Sequence, residues 1–197
     1  SSITFIYDTQ APDAAITYPV GLPDSGGNLK AATWKEIKGT AYEKFAVKSA
    51  SISFQEDSTS LYYDQAASTF NSTTQKWLTA AIAGAGPNYT WLGSTVPLQD
   101  NRKYNIRVTA ADAAGNVLTP PSPTAVRYDI TEPKSNVTSP ADGAFINKLG
   151  SVAGTAEDPN SDPSGVKATQ IRIQRNADSY YWTGSIWSGG EAWLADE

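Results

Sequence analysis

Two stretches of this chain carry the same landmarks in the same order, and that internal repeat limits the fold more than any single motif does. Phe5-Ile6-Tyr7-Asp8-Thr9 with Pro12 is echoed by Val126-Arg127-Tyr128-Asp129-Ile130 with Pro133. Thr17-Tyr18-Pro19 falls on Thr138-Ser139-Pro140, and Ile37-Lys38-Gly39-Thr40-Ala41 on Val152-Ala153-Gly154-Thr155-Ala156. Further on, Val47, Ile52 and Phe54 meet Val166, Ile171 and Ile173. Tyr62-Tyr63 then meets Tyr180-Tyr181, and Trp77-Leu78 meets Trp193-Leu194. Asp8 and Asp129 stand about 120 residues apart, the length of one β-sandwich domain.

Within the repeat the apolar period is two. Ile37, Gly39 and Ala41 alternate with Lys38 and Thr40, and Ala50, Ile52 and Phe54 alternate with Ser51 and Ser53. Tyr104, Ile106, Val108 and Ala110 alternate with Asn105, Arg107 and Thr109. Such alternation predicts strands with one dry and one wet face. Gly, Pro, Asn and Asp clusters at 21–28 and 158–165 read as loops. Only Ala80 to Ala85 leaves strand and helix both open. Short strands at regular spacing predict an all-β sandwich.

Composition narrows the chemistry. The 197 residues include no His, Cys or Met, and the formal net charge is −5. Without Cys there is no disulfide framework and no thiolate nucleophile. Without His the commonest general base is missing, and a Ser-His-Asp triad cannot be built. A bound metal would need all-oxygen coordination, which points to calcium. The 15 Lys and Arg are scattered, which argues against nucleic acid as a partner. No apolar run reaches the roughly 18 residues that a membrane helix needs, so no membrane insertion is expected.

Tyr104 opens the sixth strand of the repeat, after Leu98 and Asp100, and is a candidate tyrosine corner whose hydroxyl meets the upstream backbone. The run from Tyr104 to Asn116 (YNIRVTAADAAGN) resembles the sixth strand and following turn of bacterial immunoglobulin-like repeats. Asp8-Thr9-Gln10-Ala11-Pro12 is similar to the junction of that family, as is Thr138-Ser139-Pro140-Ala141-Asp142-Gly143. The hairpin from Tyr181 to Trp187 is similar to one in very long repeat proteins of this type. The resemblance implies tandem immunoglobulin-like sandwiches from an extracellular, cell-surface adhesin. Residues 1–8 are then the last strand of a preceding repeat plus linker, 9–129 the first repeat, and 130–197 a second repeat lacking its last strands. Its partners would be neighbouring repeats or copies of itself, with a cell-surface glycan or protein as a further ligand.

In such a sandwich the entering linker and the loops after the second and sixth strands share one pole. Asp8, Glu43, Asp112 and Asn116 are therefore expected together, a set of oxygen donors suited to Ca²⁺. Asp129, Glu157 and the loop 158–162 are the equivalents in the second repeat. The same Asp112 and Asn116 also suit a hairpin turn shaped by side-chain-to-backbone bonds around Gly115. Of the six Trp residues, Trp34 and Trp91 are the candidates for stacking a sugar, and core packing is the competing reading. The expectation is a non-catalytic structural or adhesive repeat segment, stiffened by calcium at its junctions. Two alternatives stand beside it: a filament subunit assembled by donated strands, and a glycan-binding module of a secreted hydrolase.

Overall fold

Strand β9 (Arg102–Asp112) shows how the alternation becomes a core: Tyr104, Ile106, Val108, Ala110 and Asp112 are buried and the residues between them are not. In this computed structural model residues 2–21, 28–30, 33–159 and 164–195 are described. Parts of the two expected loops, 22–27 and 160–163, lie outside that set. The chain is all-β, and among the described residues there is no helix that could cross a membrane. It divides into two units, 1–130 and 131–197.

In the first unit β1 (Asp13–Tyr18) pairs antiparallel with β3 (Ile37–Tyr42), and β3 pairs with β8 (Asn88–Gly93). On the opposing side β4 (Val47–Glu56) pairs with β9, and β9 with β10 (Thr124–Tyr128). The short β2 (Asn28–Leu29) lies parallel to β10. Strand β7 (Leu78–Ala85) joins both sets: Leu78 to Ala80 pair with β4, and Ala81 to Ala85 pair with β8. The ambiguous alanine stretch is therefore strand. Ile37, Ile52, Phe54, Trp91, Ile106, Val108 and Val126 fill the space between the sheets. Each such side chain stabilises the unit by about 1.5–3 kcal/mol through burial.

Tyr104 behaves as its position predicts. Its hydroxyl accepts the Gln99 backbone N–H at 2.9 Å, and burial, partly offset by that bond, pushes its pKa up. The hairpin β5 (Tyr62–Asp64) to β6 (Thr69–Ser72) extends from β4 and sets Tyr63 edge-on to Phe70, centroids 5.3 Å apart.

Several strand pairings of the second unit have the same register as pairings of the first. Strand β11 (Lys134–Ser139) pairs with β12 (Ala153–Glu157) so that Val137 faces Gly154, just as Ile16 faces Gly39. The same register irregularity follows in both. Strand β13 (Gln170–Ile171) pairs with β17 (Leu194–Ala195), placing Ile171 opposite Leu194 as Ile52 is opposite Leu78. Strand β14 (Gln174–Arg175) leads into β15 (Tyr180–Trp182) and β16 (Trp187–Ser188).

The turn into that hairpin corrects the sequence alignment by one residue. Ser60 and Ser179 both have positive φ, 58° and 61°. Each donates its N–H across the turn at 2.9 Å, to Glu56 and to Arg175. Tyr62-Tyr63 therefore matches Tyr181-Trp182 rather than Tyr180-Tyr181. The pair Trp182–Trp187, 5.5 Å apart, is the counterpart of Tyr63–Phe70. No described residue of this second unit is buried.

Candidate metal centre

Two strand ends and the segment that leads into β1 bring three carboxylates together at one pole of the first unit. Asp112 is the last residue of β9, Glu43 directly follows β3, and Asp8 precedes β1 on the entering segment. One oxygen from each lies within 4.8 Å of the others. Among the described residues this is the one set of three acidic side chains gathered so closely. Asp112 is 1% exposed and Glu43 5% exposed, while Asp8 is half-buried. Among the described residues, no lysine or arginine forms an ion pair with any of them.

Asn116 holds the group in place. Its carboxamide donates to Asp112 Oδ2 at 2.8 Å and to the Asp8 carbonyl oxygen at 3.1 Å. Asp112 Oδ1 accepts the backbone N–H of Gly115 at 2.7 Å and of Asn116 at 2.9 Å. Gly115 makes that turn with φ of 98°, a conformation that glycine adopts without strain. Burial pushes the Asp112 carboxyl up, but the Asn116 side chain and the N–H groups of Asn116, Gly115 and Ala114 outweigh it, so its pKa lies below the ordinary value. Glu43 Oε1 accepts the Phe45 N–H at 3.2 Å, and Asp8 Oδ1 accepts that of Gln10 at 3.0 Å.

This donor set fits calcium on geometry. Ca²⁺ sits about 2.3–2.6 Å from each oxygen, so it can touch two oxygens up to roughly 5 Å apart. Three like charges this close repel one another, and a divalent cation turns that repulsion into attraction. The hydrogen bonds around Asp112 also make the Asx-type turn read from the sequence, so one set of contacts serves both readings.

Among the described residues, the equivalents expected in a second repeat form no such group of three. Asp129 is buried in the first unit, and its N–H donates to Leu29 O at 2.9 Å. Glu157 is exposed at the end of β12, opposite Lys134 in the second unit. Asp158 Oδ2 accepts the Gly165 N–H at 3.0 Å. Sequence reasoning missed the main-chain part of the site, namely the Asp8 carbonyl and the Phe45 N–H, for which no residue pattern gives a signal.

The expectation of two accessible indoles is corrected for Trp91. It is 2% exposed, lies in the core, and donates its indole N–H to Thr40 O at 3.1 Å. It therefore offers no face to a sugar. Trp34 is half-buried against Phe54, with centroids 6.0 Å apart, and its indole N–H is taken up by Val96 O at 2.8 Å. Compared with known proteins, the chain matches no family model and no curated sequence.

Proposed function

We propose that this chain is a non-catalytic segment of immunoglobulin-like repeats from an extracellular surface protein, with a structural or adhesive role. Calcium stiffens the junction where the chain enters the first unit. The strand order β1-β3-β8 on one side and β4-β9-β10 on the other supports the sandwich reading. The recurrence of its registers in the second unit supports the tandem one. The single observation that carries the calcium reading is the gathering of Asp8, from the entering segment, with Glu43 and Asp112 within 4.8 Å. A cation there clamps that segment to the sandwich pole. Neighbouring repeats or further copies are the natural partners of such a module, and a cell-surface glycan or protein is the natural ligand.

Calorimetric titration of chelator-treated protein with CaCl₂ tests this. The expected result is one site per chain, lost in Asp112→Ala and weakened in Glu43→Gln. At a hundredfold excess over Kd the bound ion adds about 2.7 kcal/mol of stability. Absence of heat and of any calcium-dependent rise in Tm would refute the calcium junction.

A second reading rests on residues 3–7. Ile3, Phe5, Ile6 and Tyr7 are exposed and unpaired in any strand, yet they match the sequence of β10, whose Val126 and Tyr128 are buried. This favours strand donation to another sandwich. Light scattering that shows monomers at every concentration would count against it.

A further inference from the structure

The outer face of the first unit carries a hollow of about 550 Å³, lined by Asp13, Ala15, Thr40, Tyr42, Asn88 and Thr90 among others. Strand register builds it in rows. Asp13, Tyr42 and Asn88 lie abreast across β1, β3 and β8. Ala15, Thr40, Thr90 and Ala83 form the next row, which continues onto β7. Two positions further along, Lys38 and Leu92 make the opposite rim. Each of these residues is exposed, on the face turned away from the core. Tyr42 is 52% exposed, so its phenol ring stands beside a floor of small side chains. Among the described residues, no hydrogen bond or ion pair takes up the side chains of Asp13, Thr40, Tyr42, Asn88 or Thr90.

Charge and size select the occupant. Lys38, the one cation on these four strands, pairs with Glu36 at 2.6 Å, and Asp13 adds a negative charge. Nucleic acid and acidic lipid therefore find no counter-charge here. The floor runs about 13 Å along the strands and about 14 Å across them, an area on the order of 200 Å². A stable protein partner covers roughly 800 Å² on each side. A small uncharged ligand remains, with an apolar face for the phenol ring and hydroxyl groups for the carboxylate, the carboxamide and the threonines. We infer that this hollow binds an uncharged glycan. One sugar ring stacks on Tyr42 while Asp13 and Asn88 hydrogen-bond its hydroxyl groups, and the saccharide extends over Thr40 and Thr90. This gives a place to the glycan ligand proposed above, on which it rests, and is independent of the calcium site.

The test screens the full chain, in chelator, on an array of short uncharged and acidic oligosaccharides, and then titrates the strongest binder by calorimetry. Uncharged members are expected to bind. Tyr42→Ala should weaken that binding roughly tenfold or more, and Tyr42→Phe should keep most of it, since the stacking ring remains. Thr90→Tyr, which fills the hollow, should abolish it. Both positions are exposed, so each variant should melt close to the wild-type temperature. Binding that Tyr42→Ala and Thr90→Tyr both leave unchanged would overturn this site and leave a glycan ligand held elsewhere. Binding of acidic members alone would overturn the inferred ligand class. Binding to no member at all would overturn the site and the glycan ligand together, with the calcium junction and the repeat reading decided by their own tests.

Discussion

The side-chain amide of Asn116 donates at 3.1 Å to the main-chain carbonyl of Asp8, across 108 positions of sequence. One residue in the turn after β9 thus fastens the segment that leads into β1. The same amide holds Asp112, so the entering chain and the acidic group are positioned together.

Asn116→Ala should release that segment while leaving the sandwich folded. Losing its bonds to a carboxylate and a carbonyl is expected to cost about 1–3 kcal/mol. Amide exchange at Asp8 to Gln10 should accelerate well beyond that in β4. Uniform acceleration across the first unit would instead mean that Asn116 supports the whole fold.

Asp112 gives the first unit an acid-sensitive component. Its folded pKa is lowered from 3.8, so the native state takes up the proton less readily than the unfolded chain. That contribution is fully present above 3.8 and is lost as pH falls through the depressed folded value. Urea midpoints in chelator should therefore decline below about pH 4, and the difference between wild type and Asp112→Asn should shrink over that window.

Trp91→Ala should destabilise the first unit by about 3–5 kcal/mol, since it empties the space over Gly39 and removes the indole bond to the Thr40 carbonyl. Trp34→Ala, at a half-buried position, should cost less. Urea denaturation followed by far-ultraviolet circular dichroism measures both. Equal losses would contradict the different burial of the two indoles.

Gly39→Ala should be among the most damaging single changes, at ~4 kcal/mol or more. The added methyl would lie 1.9 Å from the Ala15 carbonyl oxygen and 2.3 Å from the Trp91 ring. The first of these is backbone of the paired strand and cannot rotate aside. Thermal melts against Lys38→Ala, whose side chain is exposed, provide the comparison.

Much of this architecture was legible because β-strands write their faces into the sequence at every second residue. Tyr104 to Ala110 announced β9, and the repeated landmarks are matched by shared registers in β1–β3 and β11–β12. The alanine-rich β7 was obscure, since alanine has little preference for strands and its small side chains blur the alternation. The hairpin alignment slipped by one because two Tyr-Tyr pairs matched by identity, while the true register is set by the left-handed turns at Ser60 and Ser179. Burial of Trp91 depends on a glycine in another strand, a long-range pairing that local pattern does not report. The acidic group was legible in its side chains, because Glu43 and Asp112 sit at strand ends and Asp8 on the segment entering β1, and illegible in its main-chain contacts.

Strand β7 gives its first three residues to β4 and its next five to β8. The two faces of the first unit are therefore not independent layers held only by side chains. To slide or peel one from the other, the chain must give way between Ala80 and Ala81. The unit should open as one cooperative block, and a load applied to either face passes to the other through continuous covalent backbone.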